Sequence, residues 1–165
     1  MLELKPYCED NKAAMVTRIA QFFGFHAALR DADHAPDLHA AEETLAEWSL
    51  PPSKLYRIVA DGTDVGFLRL CFRGGNVAWI EDIFVDPACR GRGYATAAIE
   101  EAERIVAADP RYTAVCLDVV PRNQAALHLY HKLGYDRLSL ITVRKELRGD
   151  RRDRTVRLFE HDFSY

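Results

Sequence analysis

Leu2 and Leu4 alternate with polar neighbours, which predicts a short first strand over residues 2–7. Glu9-Asp10-Asn11 reads as the capped start of a helix reaching to around residue 25, with Ala14, Val16, Ile19, Ala20 and Phe23 turned inward. His34-Ala35-Pro36-Asp37 breaks that pattern, and residues 38–48 predict a second helix, closed by Pro51-Pro52. Two strand-like runs, 54–60 and 65–72, flank the turn Asp61-Gly62-Thr63-Asp64 and predict a hairpin. Gly74-Gly75-Asn76 then turns the chain into a run over 77–85 that is apolar on both faces apart from Glu81 and Asp82, the pattern of a central strand. Residues 95–108 predict a helix with Ile99, Ala102, Ile105 and Val106 on one face and Glu100 four residues before Arg104 as an ion pair. A strand over 113–120, a helix over 123–133, a strand over 136–146 and a last alternating strand over 155–163 complete the chain. That order predicts an α/β (α+β) fold in which a mixed, mostly antiparallel sheet of about seven strands carries helices on both faces. Repeats, low-complexity tracts and interdomain linkers are absent, so residues 1–165 read as one domain.

Composition narrows the class without choosing it. Apolar residues make up 48% and charged residues 28%, which suits a packed core and excludes a disordered chain. The net charge of −3 is unevenly spread: residues 1–50 carry nine acids against four bases, net −5, and residues 109–165 carry eight acids against eleven bases, net +3. The basic end interleaves Asp150 and Asp153 with its arginines and lacks interleaved aromatics, so it reads as a solvated turn and nucleic acid is not expected as a partner. Cys8, Cys71, Cys89 and Cys116 are scattered, with no spacing for zinc or a disulfide framework. His128 and His131 lie three apart on a predicted helix with no third ligand at zinc spacing, so no metal is expected. With neither a signal peptide nor an apolar run long enough to span a bilayer, the expectation is a cytoplasmic protein with no membrane partner.

The chemistry gathers where the 77–85 run ends. Pro87 stops the strand, Arg90-Gly91-Arg92-Gly93 forms a basic turn, and a helix begins at Tyr94-Ala95-Thr96. Two glycines admit close backbone approach, and a helix N-terminus offers unsatisfied N–H groups and positive dipole to an anion, so the turn reads as a phosphate cradle. A Walker loop is excluded because no Gly-Lys-Ser/Thr triplet occurs, and a dinucleotide fingerprint is weakened by Thr96 at the third glycine position. The pattern Arg90-x-x-Gly93-x-Ala95 after a Val-Asp-Pro strand end resembles the acyl-CoA pyrophosphate loop of the GNAT superfamily, whose motif is Gln/Arg-x-x-Gly-x-Gly/Ala. Downstream, Asn123, Ala126, Tyr130, Lys132, Gly134 and Tyr135 match that family's second signature, Asn-x-x-Ala-x-x-x-Tyr-x-Lys-x-Gly-Phe/Tyr. Residues 54–147 carry the resemblance, with an acyl-CoA-binding core over 77–135.

The resemblance implies an acetyl-CoA-dependent N-acetyltransferase. Its fold splays the two central strands, here 77–86 and 113–120, so that the pantetheine arm lies between them on backbone groups of Ile83, Phe84 and Val85. Asn123 is implied as a further pantetheine contact, and Lys132 as a phosphate contact; Asn123 is equally placed to cap its helix, and Lys132 reads more simply as a solvated helix lysine. Transfer to an amine needs a route for the amine proton, a donor to the oxyanion and a proton for the leaving thiolate. Tyr130 matches the family's tyrosine near the CoA sulfur and is the candidate acid. Glu81, in a Glu-Asp-x-Phe-Val context similar to that of polyamine-type acetyltransferases, is the candidate base or the anchor of a water relay; the alternative is an ion pair with an arginine such as Arg69. Alternation along a strand puts Glu81 and Asp82 on opposite faces, so only one is expected to meet a substrate. His26, His34 and His39, with Asp31, Asp33 and Asp37, border the segment where the family builds its acceptor pocket, although a polar loop explains them as well. The acidic N-terminal part and Glu81 favour a cationic small amine as acceptor, with a lysine or peptide N-terminus, or a non-catalytic acyl-CoA-binding module on the same fold, as alternatives. A homodimer through the 155–163 strand edge is a further expectation.

Overall fold

The computed structural model describes residues 1–29, 35–148 and 154–165. Asp31, Asp33 and His34, expected near the acceptor, and most of the basic run ending at Arg154 lie outside the described residues. The chain forms two compact units, Met1–Asp118 and Val119–Tyr165.

The first unit is built on a five-stranded sheet in the order β1-β2-β3-β4-β5, where β1 is Leu2–Pro6, β2 Ser53–Ala60, β3 Thr63–Cys71, β4 Val77–Val85 and β5 Ala114–Leu117. All neighbours are antiparallel except β4 and β5, which run parallel. Helices α1 (Lys12–Ala28) and α2 (Leu38–Trp48) cover one face, where Met15, Ile19, Phe22, Leu45 and Trp48 pack with Leu55, Phe67 and Phe84 of the strands. Helix α3 (Tyr94–Ala107) buries Ala98, Ile99, Ala102 and Val106 and packs on β1, β2 and β4. Strand alternation turns Leu68, Leu70, Ala78 and Ile80 away from the Phe67 face, toward α3. Phe67, Ile19 and Ile99 are fully buried, and each such side chain contributes roughly 1.5–3 kcal/mol.

The sequence pattern gave most of these elements to within a residue or two, with informative departures. α1 runs on to Ala28; Met15 and Phe22 join its inward face, whereas Ala14 is exposed. Asn11 does not cap it through its side chain but accepts from Cys8 Sγ at 2.9 Å. Arg104 pairs with Glu101 at 2.5 Å instead of Glu100, one of the two helical spacings that bring side chains together.

The second unit contains α4 (Gln124–Lys132) and a separate two-stranded sheet of β6 (Thr155–Leu158) and β7 (His161–Ser164). The expected single strand over 155–163 is therefore a hairpin, turned by Phe159 and Glu160 at φ of 48° and 69°. The strand expected over 136–146 is not formed. Leu138, Leu140 and Val143 are 72%, 75% and 66% exposed. Strand propensity expresses fit to a half-buried pleated surface, and no described strand pairs with this stretch, so its pattern goes unrealised. The seven strands thus divide five and two instead of forming one sheet. Among the described residues, no helix is long and apolar enough to cross a membrane.

Candidate active site

Strand β4 is paired unevenly on its two sides. On one side it matches β3 from Cys71↔Trp79 to Gly66↔Val85. On the other, β5 pairs only with Val77–Ile80, and among the described residues Ile83, Phe84 and Val85 have no strand partner there. β5 spans only Ala114–Leu117 of the predicted 113–120, so its pairing with β4 ends at Ile80. Phe84 is itself buried, stacked on Phe67 with ring centroids 5.9 Å apart, so what it can offer a ligand is backbone.

A register shift between Arg69 and Leu70 makes Glu81 the extra residue of a bulge: Arg69 faces Asp82 and Leu70 faces Ile80. This corrects the alternation argument. Both carboxylates reach Arg69, whose Nε donates to Asp82 Oδ2 at 2.7 Å while Nη2 lies 3.9 Å from Glu81. Arg69 also donates to Ser53 Oγ and lies over the Trp48 ring, 4.5 Å from its centroid. Glu81 is gripped more closely by Arg73, whose Nε and Nη2 donate to its two oxygens at 2.6 Å each. The ion pair anticipated for Glu81 therefore exists, with Arg73 as principal partner. Burial pushes the Asp82 carboxyl up from its usual range, opposed by the Arg69 charge. Two acids and two arginines leave the strip without net charge.

The cradle follows directly. Pro87–Cys89 makes one 3-10 turn, with Cys89 N–H donating to Asp86 O at 2.8 Å. Gly91 and Gly93 take φ of 74° and 79°. A Cβ on either meets no atom within 4 Å, so glycine is needed for the left-handed backbone and not for lack of room. Gly93 is the N-cap of α3 and makes no side-chain cap bond, which leaves the first-turn amides of Tyr94, Ala95 and Thr96 turned out of the helix end. The two arginines separate. Arg90 Nε donates to Val85 O at 3.0 Å, and its guanidinium lies over Phe25 at 4.9 Å, so it braces the loop against α1. Arg92 is exposed and is the loop cation available to a phosphate.

One element was not read from sequence. Arg18 of α1 donates to both Asp86 oxygens, Nε at 2.9 and 3.2 Å and Nη2 at 2.9 Å, and Nη2 donates to Asp64 O at 2.8 Å. It ties the residue that opens the cradle to helix and hairpin. The available signal was a lone arginine among the inward residues of α1.

In the second unit Asn123 Oδ1 accepts from Ala126 N–H at 3.2 Å, the expected helix cap. Tyr130 is half-buried on α4, its ring edge-on to Tyr135 at 6.2 Å. Lys132, His128 and His131 are exposed, and the described residues contain no grouping able to hold a metal ion.

An open strand edge leading into an anion-binding helix start suits a coenzyme A donor: the edge can accept an amide-bearing arm, and the first-turn amides can accept a pyrophosphate. The residues fit the group, and the class they define is an acyl-CoA-dependent transferase. A model of the acetyltransferase (GNAT) family matches residues 22–135, and the chain belongs to that family, with acetyl-CoA as acyl donor for transfer to an amine. Solved structures share the fold. Protein YycN of Bacillus subtilis aligns at a TM-score of 0.68 and 18% identity, covering 90% of this chain and 100% of its own. A protein of Clostridium difficile 630 described as a possible acetyltransferase aligns at 0.69 and 18%, covering 90% and 99%. AAC(6')-Iy, in complex with the bisubstrate analogue CoA-S-monomethyl-acetylneamine, aligns at 0.68 and 20%, covering 88% and 99%. A search of curated protein sequences finds no match.

Proposed function

We propose that the chain acetylates a small cationic primary amine by direct attack on acetyl-CoA in a ternary complex, its two units acting as one acetyltransferase domain. The observation that carries this is the edge of β4 at Ile83–Val85, unpaired among the described residues, which leads straight into the glycine turn and the start of α3, where Gly93 makes no side-chain cap. Backbone of Ile83, Phe84 and Val85 would hold the pantetheine, with Asn123 as a side-chain contact. The amides of Gly91 to Thr96, with Arg92, would hold the pyrophosphate, and Arg90 would brace the turn. The amine nitrogen forms a bond to the acetyl carbon as the carbon–sulfur bond breaks. Glu81, directly or through a water, takes the ammonium proton, the Tyr130 hydroxyl gives a proton to the departing thiolate, and the second amine proton, shed as the amide forms, restores that hydroxyl. A cationic acceptor is supported by neighbours of the same fold, which include an aminoglycoside acetyltransferase, meta-AAC0020, in complex with sisomicin. A cytoplasmic setting and a homodimer through the terminal hairpin belong to the same proposal.

Calorimetric titration with acetyl-CoA tests it, with ATP and NAD as controls. Selective binding in the micromolar range supports the assignment, and absence of binding by folded protein removes it. For Glu81→Gln, turnover is expected to fall most near neutral pH and to recover partly as pH rises, because an ammonium of pKa about 10.4 then deprotonates without help. A loss independent of pH in initial-rate measurements removes Glu81 as base.

A further inference from the structure

The grip on Glu81 poses a difficulty for any cationic acceptor: its place at the carboxylate is already taken. Arg73 donates to both Glu81 oxygens at 2.6 Å, and its guanidinium lies over the Trp79 ring, 4.5 Å from the centroid. A carboxylate beside an aromatic face is what an alkylammonium seeks, combining an ion pair with a cation–π contact. We propose that Arg73 is an internal counter-ion standing in the acceptor's ammonium position, and that the amine binds by displacing it. This rests on the amine-acetylation reading above and adds a specificity-determining residue to it.

The two arginines at Glu81 differ in how readily they can leave. Arg69 is held by Asp82, Ser53 and the Trp48 ring, and its side chain is 16% exposed. Arg73 is 48% exposed and lies beyond the end of β3, next to Gly74 and Gly75 at φ of 97° and 70°. A Cβ on either glycine would meet nothing within 4 Å, so the turn has room to rearrange. Glu81, 13% exposed, and Trp79 stay fixed on the sheet. Because Arg69 keeps Asp82 neutralised, departure of Arg73 uncovers one carboxylate and one aromatic face. The class of ligand is therefore a single alkylammonium group on a chain slim enough to lie along Trp79.

The exchange has a signature that a purely structural clamp lacks. Removing a competing internal cation tightens ligand binding, because a site blocked part of the time lowers apparent affinity by that fraction. Removing a clamp that positions Glu81 weakens it. The probe is n-butylammonium, titrated without acetyl-CoA and followed by the indole N–H resonance of Trp79, one of two tryptophans in the chain. Arg73→Gln is expected to bind it about fivefold more tightly than wild type, matching about 1 kcal/mol for a partly exposed ion pair. Arg73→Lys, which keeps a cation in place, is expected to stay near wild type. Adding Glu81→Gln to Arg73→Gln is expected to abolish the gain. Equal or weaker binding by Arg73→Gln, with the dispersed spectrum of a folded protein, overturns the proposal. Since no donor is present, that outcome is separate from whether acetyl-CoA binds.

Discussion

Tyr130→Phe is expected to lower turnover by about 10²- to 10⁴-fold, the range of a positioned general acid, while acetyl-CoA affinity stays within a few-fold. The substitution removes one oxygen and keeps the ring that packs edge-on against Tyr135 at 6.2 Å. Under the proposed mechanism, what is lost is the proton supplied as negative charge builds on sulfur, a requirement that exists only in the transition state. An effect confined to kcat, with KM for the donor little changed, is the mark of such a group. Thiol release under saturating donor, alongside calorimetry on the same preparation, measures both quantities. Unchanged turnover ends the case for Tyr130 as acid, and a parallel loss of donor affinity makes it a binding residue.

Arg18→Ala is expected to cost about 1–3 kcal/mol of stability, as loss of a charged hydrogen-bond donor from a part-buried ion pair does. The Arg18 and Asp86 side chains are only 12% and 25% exposed. Without the guanidinium, the Asp86 carboxylate and the Asp64 carbonyl both lose a donor. The urea midpoint reads the effect, with an unchanged m-value showing that the unfolding transition itself is the same. A midpoint at the wild-type value would mean that the pair contributes nothing. Donor affinity should weaken as well, because Asp86 opens the cradle and its amide is held on Val65 O at 2.9 Å.

Much of this architecture could be read from residue pattern because local chemistry and global fold agree there. Residues 38–48 and 77–85 match α2 and β4 at both ends, and the glycine turn sits where its sequence puts it. The cradle was legible for a physical reason: a proline, two glycines and a helix start are each local signals. The bulge at Glu81 was not. It depends on how β3 lies against β4, a non-local pairing that no period-2 pattern encodes, and it reverses the inference that Glu81 and Asp82 face apart. Arg73 escaped notice for a similar reason, being eight residues from Glu81 around a turn. The failure at 136–146 is the converse case, where alternation was real but strand formation needs a partner edge that the segment's own residues cannot supply. Arg90 and Arg92 look alike in sequence, yet only the structure distinguishes a brace from an available charge.

Strand β4 is longer than the neighbour offered to its far edge, and this has a thermodynamic consequence. If the donor's amide-bearing arm completes that edge, the sheet of the free protein is unfinished and its final strand is drawn from the metabolite pool. Folding and donor supply are then linked, and a ligand at a hundred times its Kd adds about 2.7 kcal/mol to the folded state. Such a gain is a sizeable share of the roughly 5–15 kcal/mol by which domains are stable. A cell rich in acetyl-CoA would hold this enzyme in a sturdier state than dilute buffer does. When the donor runs short, the protein's lifetime against proteolysis would shorten together with its rate, so that abundance itself follows metabolic state.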